Sequence, residues 1–331
     1  MFLRLFKGSR PGVLLLNIIT LLAVWVSAFL NPMMDSLSDY ETNPMPLYGL
    51  LKLVVGNNPF AGVVLSFLMV SLLSFLLVHF NTKEVFINER TFLPALIYIL
   101  CSGLFPQYQL MNPVLPASFF LMLAIIRIID GYQKPGVAYN FFDAGILIST
   151  GSLFYANLIW FGILVIIGIA LLRTGSLMEI TLAIFGLLTP YLLALSLYYV
   201  TGKEIHSLFS LVENNLFGYS AVYHFSVLTL IALIFIAIVV LVSVAYLIML
   251  MNAKKIKSRK TFSLLLWGFA ISAGMYILLP SVSVEIVWLI SIPFSYFLAH
   301  YFVFIKKKLI PEILFSVLFV LVLLIQIWYL K

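Results

Sequence analysis

Long apolar runs separated by short polar gaps fill almost all of this 331-residue chain, and its lysines and arginines fall into alternate gaps. The runs are continuous and lack the period-two alternation of a barrel strand, so they predict helices, the other way to satisfy every backbone amide in lipid. Read against the ~20 residues that cross a ~30 Å hydrocarbon core, they predict about eleven crossings. These lie near 11–30, 60–80, 92–106, 113–129, 140–156, 158–172, 179–200, 222–251, 262–279, 283–305 and 310–330. The expected architecture is all-α, a polytopic transmembrane helix bundle.

One stretch, Ala144 to Leu172, carries no charge. It reads either as one long tilted helix or as two short helices folded back at Tyr155-Ala156-Asn157. Charge separates the two. With the fold-back, Arg4, Lys7, Arg10, Lys83, Arg90, Arg127, Lys134, Arg173, the cluster Lys254 to Lys260 and Lys306 to Lys308 share one side. Only Lys52, Lys203 and Lys331 of the 19 basic residues then lie opposite. A single long helix splits the charges almost evenly, which a positive-inside bias would not produce. The fold-back is therefore expected, in a multi-pass protein of the cell inner membrane with a cytoplasmic N-terminus.

Composition agrees: 63% hydrophobic and 9% charged residues, with a mean hydropathy of +1.15, leave no charged shell for a soluble domain. The net charge of +7 follows from basic helix ends that meet anionic headgroups, so membrane lipids rather than nucleic acid are the expected partners. Cys101, alone, forms no intrachain disulfide. The opening MFLRLFKGSR resembles a signal-peptide start, yet no small-residue cleavage site follows, and the first helix is expected to stay as an anchor. His79, His206, His224 and His300 fall at different depths and on both sides, so no metal site is expected of them. There is no P-loop, dinucleotide-binding glycine pattern or nucleophile elbow.

Two outer segments stand out. The loop 31–59 holds Asp35, Asp39 and Glu41, then Leu47, Leu50, Leu51 and Val54 at i, i+3, i+4, i+7, which predicts a short helix on the membrane surface. Thr201 to Ser220 holds Lys203, Glu204, His206, Glu213, Asn214 and Asn215, with Leu208, Phe209, Leu211 and Val212 forming a second amphipathic stretch. Apart from Glu285, every acidic residue placed outside lies in these two segments. A polar, partly helical cap over apolar helices suits a site where a lipid-borne group meets water.

Asp35, Asp39 and Glu41, followed by Pro46-Leu47-Tyr48-Gly49-Leu50-Leu51 and later by the small-residue helix Phe142 to Tyr155, resemble the membrane module of the GT-C superfamily. These are integral-membrane glycosyltransferases that use polyprenyl-phosphate sugars. The resemblance covers about residues 1–200, leaving 201–331 as an outer segment plus C-terminal helices. Phe154-Tyr155 departs from the lysine or other polar residue that many members carry there, and no large soluble C-terminal domain follows. The chain is also similar to a family of bacterial inner-membrane proteins of about this length, some of which carry a carotene monooxygenase label. The four scattered histidines give that label no support.

The GT-C resemblance implies transfer from a polyprenyl-phosphate donor on the periplasmic side. Asp35, then Asp39, would be the general base, and Glu41, Tyr48, Lys203 and His206 would bind substrate. Either Lys203 or a divalent cation on Asp35 and Asp39 would hold the leaving phosphate. The alternative is a non-catalytic scaffold or partner subunit of an envelope complex, or a small lipid transporter, with the C-terminal helices contacting a membrane-protein partner. Among smaller features, Arg127 and Asp130, one turn apart, are expected to pair or snorkel. Asp143 is expected in the first turn of its helix, meeting the positive end of the dipole. Pro94, Pro116, Pro190 and Pro293 are expected to kink helices, and Gly145 and Gly151 to allow close packing.

Overall fold

The computed structural model describes residues 3–32, 43–56, 58–87, 89–132, 138–172, 177–219, 226–306 and 309–330. After a single turn at Leu3–Phe6 come α1 (Pro11–Leu30), α2 (Pro46–Val55), α3 (Pro59–Glu84), α4 (Leu93–Ser102), α5 (Val114–Asp130), α6 (Ala138–Ser152) and α7 (Gly162–Leu172). They are followed by α8 (Leu177–Val200), α9 (Ile205–Phe217), α10 (Val227–Leu250), α11 (Ile256–Leu278), α12 (Val287–Phe304) and α13 (Leu309–Leu330). Short 3₁₀ turns at Pro106–Gln109, Ala156–Phe161, Met251–Ala253 and Val284–Ile286 punctuate them, and the described residues include no strand.

Seven helices, namely α1, α3, α8 and α10 to α13, are long and apolar enough to cross a bilayer, α10 and α12 being counted with their adjoining 3₁₀ turns. The protein is therefore an integral, multi-pass membrane protein. The shorter α4 to α7 occupy the other expected crossings. The ten residues of α4 rise only ~15 Å, half the hydrocarbon thickness. All ten are buried, so the non-helical chain that follows lies against protein, where lipid tolerates it. Side chains fasten it: Gln326 Nε2 donates to Gly103 O at 2.7 Å, and Gln109 Nε2 of this stretch donates to Val24 O of α1 at 3.1 Å. Ser27 donates to Gln326, and Trp25 Nε1 to Ser102 Oγ at 3.2 Å. This seam ties α1 and α13 to the end of α4.

A helix apolar on every side belongs at the centre of a bundle. That helix is α12, whose residues from Trp288 to Val303 are almost all buried; it packs on α4, α5, α10 and α11. The expected break appears on schedule: α6 stops at Ser152, Tyr155 is extended (φ −132°, ψ 102°), and α7 packs back on α6. The closest helix pair is α6 with α8. Gly145 and Gly186 meet there so tightly that a Cβ on Gly186 would lie 2.3 Å from Phe142 O, and one on Gly145 2.6 Å from Ala183 O.

Charged contacts sort the helix ends. At one end Lys83 Nζ meets Asp130 at 2.7 Å, Lys257 pairs with Glu84, Lys260 donates to Leu171 O, and Lys7 Nζ donates to Val303 O at 3.1 Å. Every residue here was expected on the basic side. Placing α11 on the other side would separate Lys257 from Glu84, so these contacts favour the fold-back. Two local expectations are corrected. Asp130 pairs across the bundle with Lys83, and Arg127 reaches toward Asp143, Nε to Oδ2 at 3.9 Å. Asp143 lies beyond the first turn of α6, where an ion pair between helices replaces the dipole contact.

Lys254, just past α10, rests over the rings of Phe262 and Phe304, 4.9 and 5.1 Å from their centroids. Burial lowers its pKa to about 8. The folded state then holds this proton less tightly than the unfolded chain, so the cost of the buried ammonium is fully present below pH 8 and is relieved as pH rises toward the ordinary lysine range. Unfolding free energy is expected to rise over that window, and Lys254→Met to remove the increment; denaturant titrations at stepped pH measure it.

Candidate functional site

The end opposite the basic one gathers the polar connections. Helix α2 docks through backbone and side chains: Leu47 N donates to Leu153 O at 3.1 Å, and the buried Tyr48 donates from its hydroxyl to Met111 O at 3.1 Å. Leu50, Leu53 and Val54 face away from the protein, as a helix on a membrane surface requires. Helix α8 ends at Gly202, whose φ of +71° lets Lys203 N reach Tyr198 O and turns the chain into α9. Leu208, Leu211 and Val212 of α9 pack with Leu47, Leu153 and Ala194 in a small apolar cluster separate from the main core. The two amphipathic helices thus meet over the ends of α6 and α8.

The C-terminal end of α9 is latched by amides. Asn215 Nδ2 donates to Asn43 O at 3.1 Å, and Asn157 Nδ2 to Asn215 O at 3.3 Å. Ser281 Oγ donates to Leu216 O at 2.6 Å and lies 3.1 Å from Asn157 Nδ2. Behind this latch, Glu285 is 2% exposed and accepts a hydrogen bond from Ser283 Oγ. It acts electrostatically on Tyr108 and Tyr155, so three turns at this end, around 108, 155 and 285, converge on one carboxylate. Burial, with Glu285 adding to it, raises the Tyr108 hydroxyl above its ordinary pKa.

A second feature lies beside the same end: a shallow cleft of about 10 Å³, room for little more than one water molecule, whose lining includes Ser27, Asn31, Pro32, Pro106 and Tyr329. Asp35 follows Pro32 by three positions in the chain. Asp35, Asp39 and Glu41 themselves lie outside the described residues, as does His224. Lys203 and His206 are exposed at the N-terminal end of α9, with Lys203 Nζ 5.4 Å from the Tyr198 ring centroid. Counted by helical rise, His206 is ~13 Å from Asn215 along α9. Among the described residues no three His, Cys, Asp or Glu side chains gather as metal ligands.

Sequence reasoning noted Glu285 only as an isolated outer acid. The available signal was the clustering of Tyr108, Tyr155-Ala156-Asn157 and Ser281 to Glu285 in three separate connections on one side of the membrane, each polar amid apolar sequence.

No curated protein and no solved structure matches the chain. A family model matches residues 46–331, a span that begins beyond Asp35, Asp39 and Glu41 and takes in Tyr48, Lys203, His206 and Glu285: the chain belongs to the family of unknown function DUF6427.

Proposed function

We propose that this protein is an integral-membrane glycosyltransferase that takes a sugar from a polyprenyl-phosphate carrier at the end opposite its basic face, on the periplasmic side of the inner membrane. One observation carries the reading: α2 and α9, each amphipathic, are fastened together across that end, close to a small cleft at Pro32. Such a roof gives a lipid tail access from the bilayer and its headgroup access from water.

In this reading Asp35 takes the proton of the acceptor hydroxyl as the glycosyl bond to phosphate breaks, with Asp39 as the second choice for that base. Lys203 and His206 meet the departing phosphate and Glu41 helps hold the substrate, whereas Tyr48, expected beside them, is buried with its hydroxyl on Met111 O and anchors α2 instead. A single lysine neutralises little of the developing charge, so a divalent cation on Asp35 and Asp39 is the expected helper.

Turnover of lipid-linked sugars by the purified protein in vesicles, with and without magnesium, tests this. Asp35→Asn is expected to lower transfer ~10²–10⁴-fold, the usual contribution of a general base. Absence of turnover with every polyprenyl-phosphate donor, with both aspartates dispensable in cells, would replace this reading with a non-catalytic envelope scaffold or partner subunit.

A further inference from the structure

Among the described lysines of the basic end, Lys254 alone packs on aromatic rings. Lys7, Lys83, Lys257 and Lys260 each donate to a carbonyl or carboxylate oxygen, and such bonds hold a lysine as its ammonium. Lys255 and Lys306 are exposed, so water does the same for them. Lys254 is half-buried, with its Nζ over Phe262 and Phe304, and it makes no hydrogen bond or ion pair to a described residue.

What lies around that amine offers no counter-charge. The rings of Phe262 and Phe304 also pack on His300, with centroids 5.3 and 4.9 Å apart. His300 is fully buried, neither of its ring nitrogens has a hydrogen-bond partner, and it interacts electrostatically with Lys254. The Tyr246 hydroxyl is spent on Phe304 O at 2.9 Å, and the Glu84 carboxylate is held by Lys257. Ring faces are thus the only compensation for the hydration that the ammonium loses, and they replace a small part of it.

An amine desolvated without a carboxylate favours its neutral form, whose lone pair is a nucleophile. Being half-buried, it stays within reach of small reagents from the headgroup side. Lys255 and Arg259 follow it in the chain, and Lys306 follows Phe304; all three are exposed. Their charge draws anionic reagents to this end.

We propose that Lys254 is an acylation site, whose free amine takes an acyl group from an anionic donor, either an acyl phosphate or an acyl thioester of coenzyme A. The amine nitrogen attacks the acyl carbon and a C–N bond forms. The bond from that carbon to phosphate oxygen or thiolate sulfur breaks, the leaving group keeps the electron pair, and the amine proton passes to water. The product is an uncharged amide, which removes the cost of a buried ammonium where α10, α11 and α12 meet. The site lies at the opposite end from the α2–α9 roof and does not rest on the glycosyltransferase reading.

The experiment treats the purified protein in lipid nanodiscs with acetyl phosphate or acetyl coenzyme A at stepped pH and reads each lysine's acetylation rate by peptide mass spectrometry. At pH 7 a pKa of about 8 leaves ~100-fold more free amine than an ordinary lysine has. Lower basicity and partial burial give back part of that gain, so Lys254 is expected to react about tenfold faster than the exposed Lys255 and Lys203. Its rate should level off above about pH 8, while theirs keep rising toward about pH 10. The faster of the two probes identifies the donor.

Two controls tie the preference to the fold. Phe304→Leu, at a half-buried position, admits water to the amine and should lower the Lys254 rate severalfold, and unfolding in urea with detergent should abolish the preference. The acetylated protein and Lys254→Gln should both unfold at a higher temperature than untreated wild type. Lys254 reacting no faster than Lys255 with either donor, or a preference that survives unfolding or is indifferent to Phe304→Leu, overturns the proposal.

Discussion

Gly186→Ala is expected to unfold the α6–α8 pair, although it adds only one methyl group. That methyl would sit 2.3 Å from Phe142 O and 3.2 Å from Gly145 Cα, and both obstacles are backbone that no rotamer change can move. The helices must part, and the contacts that hold Tyr191 to Ser152 and Leu153 to Ala194 part with them. A loss of about 3 kcal/mol is expected, the upper end of the usual cost of overpacking a core. The contrast is Gly274→Ala in α11, where a Cβ would meet nothing within 4 Å. There the same change should stabilise by ~0.5–1 kcal/mol, because alanine loses less backbone freedom in a helix. Unfolding in mixed micelles, read by tryptophan fluorescence and size-exclusion profile, compares them directly. A Gly186→Ala protein as stable as wild type would show that the two backbones do not touch.

The second large effect lies at the basic end. Lys257→Met is expected to cost about 2–3 kcal/mol, because it strands the Glu84 carboxylate, whose side chain is 4% exposed, without its cation. Lys257 itself is 43% exposed, so its own removal is cheap and the cost lies in what remains. The double change Glu84→Gln with Lys257→Met should recover most of the loss. A double-mutant cycle on unfolding free energy therefore returns a coupling of more than about 1 kcal/mol. Additive single changes would show that α3 and α11 are not joined there, and would reopen the question of which end of the bundle α11 starts from.

Much of this architecture was legible in order of residues alone. The breaks around Tyr155 and after Gly202, the surface helix at Pro46–Val55 and the second at Ile205–Phe217 all follow from short-range patterns of apolar residues, glycine and charge. The orientation of α2 was less legible. Leu50 and Val54 of the expected surface face do point outward, but Leu47 of the same face packs into the α9 cluster, and Met45 and Tyr48, outside that face, are buried. Periodicity finds an apolar face but does not say whether protein or lipid receives it. The ion pairs failed in the same way: Arg127 and Asp130 are neighbours on one helix, but each found a better-placed partner on another.

What the sequence by itself determined is that the chain crosses a membrane repeatedly as helices, and which helix ends share a side. Lipid imposes both segment by segment, through hydrogen-bond satisfaction within each helix and through the cost of carrying lysine across. Only the tertiary structure decided that α12 is the central helix, that Gly186 is the residue that faces Gly145, and that three distant turns meet at Glu285. In a bilayer the apolar effect does not choose between neighbours, because lipid tails are as apolar as leucine. Helices therefore select partners by backbone approach and by shared polar atoms, and neither property is written in the period of any one helix.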